Sequence, residues 1–358
     1  MNTPLPEPGA DERALSERLT ALIRAEIAAS GPMPFSRYMA LCLYAPGLGY
    51  YSAGRTKFGA AGDFVTAPEL GDLFARTVAR ALAPTLRELG READFLELGG
   101  GSGAFALAAL REFAALDALP RRYRLLEPSA DLRERQRERA TRELPPELAA
   151  RIEWIERPPE QAWRGVLFAN EVVDALPTTR FTIYDGDVFE EHVALDGERL
   201  VRADRPADGL VAGAVRHVER ELGTPFPDGY RSEILPQLPY WMQAIAGTLD
   251  AGAMLFVDYG YVRREFYLPE RRDGTLVCHY RHRAHGDALH WPGLQDITAF
   301  VDFTALAEAG MGAGFDFAGY APQGPFLLAG GLAEIVAEQD AASDLARLRL
   351  AAETKRLT

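Results

Sequence analysis

Three short stretches of this chain carry residue types whose spacing suits chemistry. In Glu97-x-Gly99-x-Gly101-x-Gly103 an acid stands two residues ahead of a run of glycines. Glycines let the backbone turn tightly and approach a ligand with no Cβ in the way. Glu127 ends the next apolar stretch and fits an acid that takes sugar hydroxyls. Asn170, Glu171 and Asp174 follow a further apolar run. Carboxylates there can hold a cation by charge-assisted hydrogen bonds and stabilise charge in a transition state. Glu171 is the first candidate for that task, Asp174 the second, and Asn170 a positioning amide. The alternative for Asn170 and Asp174 is that they cap the turn before Pro177. Upstream, Thr66 with Glu69 has the spacing of a helix capping box, whereas Asp63 stands outside it and is better explained by a ligand. His279, His282 and His285 recur at three-residue spacing with His290 nearby, yet Tyr280-Arg-His-Arg-Ala is basic and only Asp287 adds a carboxylate. No metal site is expected there.

These residues need a scaffold, and hydrophobic periodicity supplies it. Leu15, Leu19, Leu22, Ile23 and Ile27 mark an amphipathic helix ended by Ser30-Gly31-Pro32, and Phe35–Tyr44 reads as a second. The capping box announces a third before Leu70, Leu73, Phe74 and Val78. From residue 93 short apolar strands alternate with helices: 93–98, 123–126, 152–155, 165–169 and 253–258 read as strands. Helices are expected to about Ala118, over Asp131–Arg142 and over about Leu235–Leu249. That alternation indicates a parallel sheet in an α/β fold, with ligands beyond the carboxyl ends of the strands. Thr178 to Ala203, with turns at Asp185-Gly186 and Asp196-Gly197, reads as inserted antiparallel strands. Tyr261 to about Ile297 is a second, irregular insertion, Val301–Ala309 a late helix, and Phe315–Leu328 a sheet-edge strand and loop. Tyr259 and Tyr261 follow the last parallel strand and are candidates to line a substrate cleft.

Two cofactor classes fit the glycine loop. Gly99-x-Gly101-x-x-Ala104 satisfies a dinucleotide pattern, and Glu97-x-Gly99-x-Gly101-x-Gly103 that of class I S-adenosylmethionine methyltransferases. The acid ahead of the first glycine favours the second, because it suits an amino group and a sulfonium and would repel a pyrophosphate. The expected fold is therefore α/β, a class I methyltransferase (Rossmann-like) mostly parallel sheet with an N-terminal helical segment and inserted antiparallel strands. No hydride-transfer acid–base residue pairs with the loop, which weakens the alternative of an NAD-linked oxidoreductase.

The sequence also resembles the MidA-like methyltransferases. The resemblance rests on Gly62-Asp-Phe-Val-Thr-Ala-Pro-Glu69, Glu97-Leu-Gly-Gly-Gly-Ser-Gly103, Glu127-Pro-Ser-Ala-Asp-Leu-Arg133 and Ala169-Asn-Glu-Val-Val-Asp-Ala-Leu-Pro177. Leu43–Ser52, Asp258-Tyr-Gly260, Gly274-Thr-Leu276 and Gln295-Asp-Ile-Thr298 also fall where that family has similar segments, so it spans about Pro34 to Gly331. One departure is Gly100, where many relatives have proline. Mitochondrial members assist assembly of respiratory complex I and dimethylate an arginine on one of its subunits. The resemblance thus implies S-adenosyl-L-methionine as cofactor, held through Glu97, Gly99, Gly101, Gly103 and Glu127. It adds Asp63 and Thr66 from an N-terminal segment folded over the cofactor. It also implies a protein arginine as methyl acceptor, with a respiratory-complex subunit as the candidate partner. An assembly chaperone using the cofactor site as a switch is the alternative.

Composition bounds these readings. The chain has 358 residues and a net charge of −13, which argues against a surface built for nucleic acid or an anionic membrane. A hydrophobic fraction of 47% is that of a globular protein. No apolar run approaches the ~18 residues of a membrane span. Two cysteines, Cys42 and Cys278, make no disulfide framework, and the Pro-rich acidic start lacks the features of a targeting peptide. A cytoplasmic location is expected. The expected division is residues 1–90 as the helical segment covering the cofactor site and 91–330 as the methyltransferase domain. That domain carries insertions at about 178–232 and 261–297, and 331–358 is a helical tail.

Overall fold

A computed structural model describes residues 5–53, 67–339 and 343–358. Beyond five short strands after residue 259, three of which (Val277–Tyr280, Arg283–His285 and Asp296–Thr298) form an antiparallel sheet in the insertion expected to be irregular, the strands in chain order are β1 (Met33–Pro34), β2 (Asp94–Leu98), β3 (Tyr123–Leu126), β4 (Ile152–Ile155) and β5 (Trp163–Asn170). They continue with β6 (Thr179–Tyr184), β7 (Asp187–Asp196), β8 (Arg199–Pro206), β9 (Arg231–Ile234) and β10 (Leu249–Val257). Five of them form the central sheet in the order β10-β5-β2-β3-β4, every neighbouring pair parallel. Strand alternation gives the sheet two apolar faces. Phe95 and Phe168 turn to one core with the helices Leu73–Leu89 and Ala104–Ala115, while Leu96, Leu98, Leu167 and Ala169 turn to another with Leu238–Ala246 and Phe303–Gly312. Phe95, Phe105 and Phe168 pack ring on ring in the first core, with Phe105 and Phe168 stacked at 4.1 Å.

The antiparallel insertion forms a separate sheet, β1-β7-β6-β9 with β8 on β7. Its buried centre is ionic. Arg180, 1% exposed, donates to Glu191 and Glu233 and to the carbonyl and carboxylate of Asp273. Glu233 in turn accepts from the backbone N–H of Thr275 at 2.7 Å. The inserted sheet is thereby tied to the loop 273–275, and a Cβ at Gly274 would collide with the Glu233 carboxylate.

The first two expected helices are present as α1 (Ala10–Ser30) and α2 (Phe35–Tyr44), with Gly31 closing the first. The third is different. A short α3 (Ala67–Leu70) is separated by Gly71-Asp72 from the long α4 (Leu73–Leu89). The first N–H of α4 is capped from a distance, Leu73 N donating to Glu353 Oε1 at 2.8 Å. That carboxylate occupies the space a Cβ at Gly71 would need, so the break falls at glycine. Beyond β2, α5 (Ala104–Ala115) and α6 (Ala130–Glu143) follow the first two parallel strands. Helix Leu238–Ala246 is shorter than expected because Leu249 already opens β10.

The edge strand expected over 315–328 is absent. Residues 315–322 are irregular and Gln323–Ala329 is a helix. Gly314 (φ 94°) and Gly319 (φ 158°) leave the extended conformation and Pro322 starts the helix.

Candidate active site

The glycine loop leaves β2 and enters α5 through three residues with positive φ: Gly99 (65°), Gly101 (51°) and Gly103 (82°). Side chains rarely adopt these angles, so glycine is required for this shape. Gly99 N donates to Leu126 O at 3.0 Å, and Gly103 N to Gly100 O at 2.7 Å. At Gly100 a methyl of Leu125 stands 2.2 Å from the position a Cβ would take. The neighbouring strand thus fills the space that a side chain at this position would need.

Two of the expected acids sit at adjacent strand ends. Glu97 is buried and accepts a 2.6 Å hydrogen bond from the Tyr123 hydroxyl, yet burial still raises its carboxyl to about 7. Glu127, also buried, accepts from Ser129 N at 2.9 Å. Both line one cavity of about 1200 Å³ beyond the carboxyl ends of the strands, together with Gly99, Gly101, Asn170, Glu171 and Asp174. Gly103 caps α5 just behind the lining residues. Asp63 and Thr66 lie outside the described residues. Glu69, their neighbour, meets the loop directly, its carboxylate accepting from the Ser102 hydroxyl.

The turn after β5 is built on a residue the sequence reading had not assigned. Asp258, just past β10, accepts with Oδ2 from Val172 N (3.2 Å), Val173 N (2.9 Å) and Asp174 N (3.2 Å), and with Oδ1 from Tyr259 N (2.8 Å). Asp258 thus holds the N–H groups of this turn, while Asn170 Oδ1 and Asp174 Oδ1 are buried with no hydrogen-bond partner. Glu171 adopts φ 51° while its N–H donates to Val257 O, the turn forcing a left-handed conformation on a non-glycine residue. Burial and Asp258 raise Glu171 to about 7. Burial raises Asp258 to about 6 against its four backbone donors. Asp174 is pushed well above the ordinary carboxylate range by burial and by Asp258, Asp296 and Glu171. Among the described residues, no lysine or arginine pairs with Glu171, Asp174 or Asp258.

The wall opposite comes from the N-terminal helices and the second insertion. Tyr44 donates to Ala175 O and Tyr51 to Asp296 Oδ1, at 2.8 and 2.9 Å, and their rings stack at 5.5 Å. Asp296, Tyr44 and Tyr51 were visible only as members of recognisable segments; their arrival here is a tertiary event. Tyr259 lines the cavity and is 57% exposed. Tyr261 does not; it packs on Phe300 and under the Arg271 guanidinium. His279 lines the cavity, whereas His285 and His290 pack together away from it, and no cluster suited to a metal ion occurs among the described residues.

An open parallel sheet whose first strand ends in an acid and a glycine loop, with a second acid on the next strand, is the architecture of a class I methyltransferase. The left-handed glycines and the buried acid Glu97 beside them suit an aminoacyl nucleoside better than a pyrophosphate. Residues 77–321 match a family described as "Putative S-adenosyl-L-methionine-dependent methyltransferase", and the chain belongs to that family. S-adenosylmethionine is its cofactor, which resolves the ambiguity of the glycine motif against NAD. A crystal structure from Burkholderia thailandensis, bound to S-adenosyl-homocysteine, is 42% identical and superimposes with a TM-score of 0.92 over 99% of this chain and 91% of that one. The chain is 29% identical to the Drosophila melanogaster protein arginine methyltransferase NDUFAF7 homolog, mitochondrial, covering 85% of this chain and 72% of that protein. The Homo sapiens protein arginine methyltransferase NDUFAF7 is 28% identical over 80% of this chain and 67% of its own length. No helix among the described residues is long and apolar enough to cross a membrane.

Proposed function

We propose that this methyltransferase modifies a guanidinium nitrogen of an arginine in a protein. The observation that carries the reading is the carboxylate group Glu171, Asp174 and Asp258, buried at Asp174 and half-buried at the other two, raised in pKa and without a cation from the described residues. Such a group is costly to hold ionised and becomes favourable when a cation enters. A guanidinium fits, because its planar fork can bridge two carboxylates. The names of the relatives point to the same acceptor.

When bound, S-adenosylmethionine supplies an electrophilic methyl on a positively charged sulfur. The chain's own task is orientation, since in-line displacement needs no metal and no covalent intermediate, and alignment alone is worth up to ~7–11 kcal/mol. Glu171 and Asp174 hold the guanidinium and draw its charge away from the attacking nitrogen. A nitrogen–carbon bond forms as the sulfur–carbon bond breaks, and the nitrogen's surplus proton passes to a carboxylate. Glu171, near neutrality, is suited to accept it. The acidic side opposite the glycine loop also disfavours a neutral or anionic acceptor.

The test is mass spectrometry of proteins from cells with and without the gene, followed by transfer of a labelled methyl from S-adenosylmethionine to the affected protein. Loss of methylarginine from a defined site is expected. Lost marks on another residue type, with arginine marks intact, would overturn the arginine assignment. An unchanged methylproteome in cells that still need the gene would favour the chaperone alternative.

A further inference from the structure

Four glycines among five residues, Gly99–Gly101 and Gly103, give the cofactor loop little conformational preference of its own. Its shape must be imposed by neighbours, and α6 supplies two. Gln136, 1% exposed, donates from Nε2 to Gly101 O at 2.8 Å. Its Oε1 accepts from the indole Nε1 of Trp154 on β4 at 3.0 Å. One turn along the same helix, Arg139 donates to the Ser102 hydroxyl at 2.7 Å and to the Ser102 carbonyl at 3.3 Å. The Gln136 stem also lies 3.5 Å from the position a Cβ on Gly103 would take, so it packs against the end of the loop as well.

The geometry around Gln136 is directional. Trp154 can only donate, so the oxygen of the amide must face the indole and the NH2 must face Gly101. The amide is thus locked at both ends, and the carbonyl it holds belongs to a residue at φ 51°. Gln136 does not itself line the cavity. We propose that Gln136 is a positioning residue for S-adenosylmethionine. Anchored by Trp154, it turns the Gly101 carbonyl toward α6 and keeps the loop backbone in the open shape that admits the cofactor. Loop order is then settled before binding rather than during it, and affinity gains the difference.

S-adenosylhomocysteine titrated calorimetrically into the full chain tests this without any methyl acceptor. The variants are Gln136→Glu, Gln136→Met, Trp154→Phe and the Gln136→Met/Trp154→Phe pair, each melted in parallel. Gln136→Glu keeps the shape and the acceptor for Trp154 but sets a carboxylate against the Gly101 carbonyl. Its Kd should rise about tenfold, the ratio expected for one lost hydrogen bond, and its melting temperature should fall because a carboxylate is buried against a carbonyl, so the titration is run below that melting point. Trp154→Phe should raise Kd by a smaller factor and add nothing on the Gln136→Met background, because its influence passes through Gln136. Parental affinity in folded Gln136→Glu would overturn the proposal. So would a Trp154→Phe effect of equal size with and without Gln136. If Gln136→Glu fails to fold, Trp154→Phe decides alone, and parental affinity there overturns it.

Discussion

Replacing Glu171 with glutamine separates a catalytic carboxylate from a structural one. The carboxyl is raised from an ordinary value near 4.5 to about 7, by burial first and by Asp258 second. A group that holds its proton more tightly in the folded than in the unfolded chain contributes stability at low pH and loses it as pH rises. Here the loss begins near 4.5 and is complete above about 7. At roughly 1.4 kcal/mol per pH unit, ionised Glu171 costs the folded state about 3 kcal/mol, an upper figure because the side chain retains some solvent. Glu171→Gln preserves the size and the oxygen that accepts from Asn170, at 3.3 Å, while removing the charge. The variant should therefore be more stable than the parent at pH 8, by about 1–3 kcal/mol, and indistinguishable from it at pH 4.5. Asp174 and Asp258 are relieved by the same change. Urea unfolding at both pH values measures the difference. Parallel pH profiles for parent and variant between 4.5 and 7.5 would refute the reasoning, because they would mean that Glu171 is solvated or already paired. With a methyl acceptor in hand, single-turnover transfer at saturating cofactor should fall by roughly 100-fold or more, with S-adenosylhomocysteine affinity nearly unchanged. A residue that stabilises the fold when removed and abolishes the reaction is one held in place for chemistry.

Two further substitutions probe the frame around that carboxylate. Gly101→Val forces a β-branched residue to φ 51°, and should abolish S-adenosylhomocysteine binding by calorimetry while the far-ultraviolet dichroism stays parental; wild-type affinity would make the loop purely structural. Asp258→Asn leaves a single oxygen and sets an NH2 against backbone donors where one carboxylate now serves four N–H groups. Unfolding measurements at pH 8 should show a loss of about 1–3 kcal/mol, and a change below 0.5 kcal/mol would show that the turn after β5 does not depend on Asp258.

What could be read in advance, and what could not, follows from how far each signal reaches along the chain. The parallel strands were legible because each is a short apolar run stopped by glycine, an acid or asparagine. Tyr123–Leu126 and Ile152–Ile155 coincide with the structure residue for residue. The glycine loop was legible for the same reason: its acid, glycines and helix are contiguous. The edge strand at 315–328 failed where a local signal met a stronger one. The stretch holds Phe315, Phe317 and Tyr320, but two glycines outside the extended region and Pro322 decide the backbone. The third helix is present but broken at Gly71-Asp72, and its second part is capped from afar by Glu353, which no local signal announces.

The electrostatics of the site lay further out of reach. Glu97 and Glu171 are both acids near strand ends and both rise to about 7, for different reasons. Glu97 is raised by burial and pulled back by a tyrosine from the adjacent strand. Glu171 is raised by burial and by Asp258, 87 positions later in the chain. Asp258 is itself engaged by the N–H groups that follow Glu171. That reciprocal arrangement, in which the end of β10 builds the turn after β5 and thereby charges it against itself, has no local signature. Only the pairing of β5 with β10 brings it about, from Leu249 opposite Trp163 to Val257 opposite Asn170. A one-residue slip in that register would move Asp258 away from the three N–H groups and leave them without their acceptor. The register of two apolar strands, not the acids themselves, is what gathers these carboxylates at one end of the sheet.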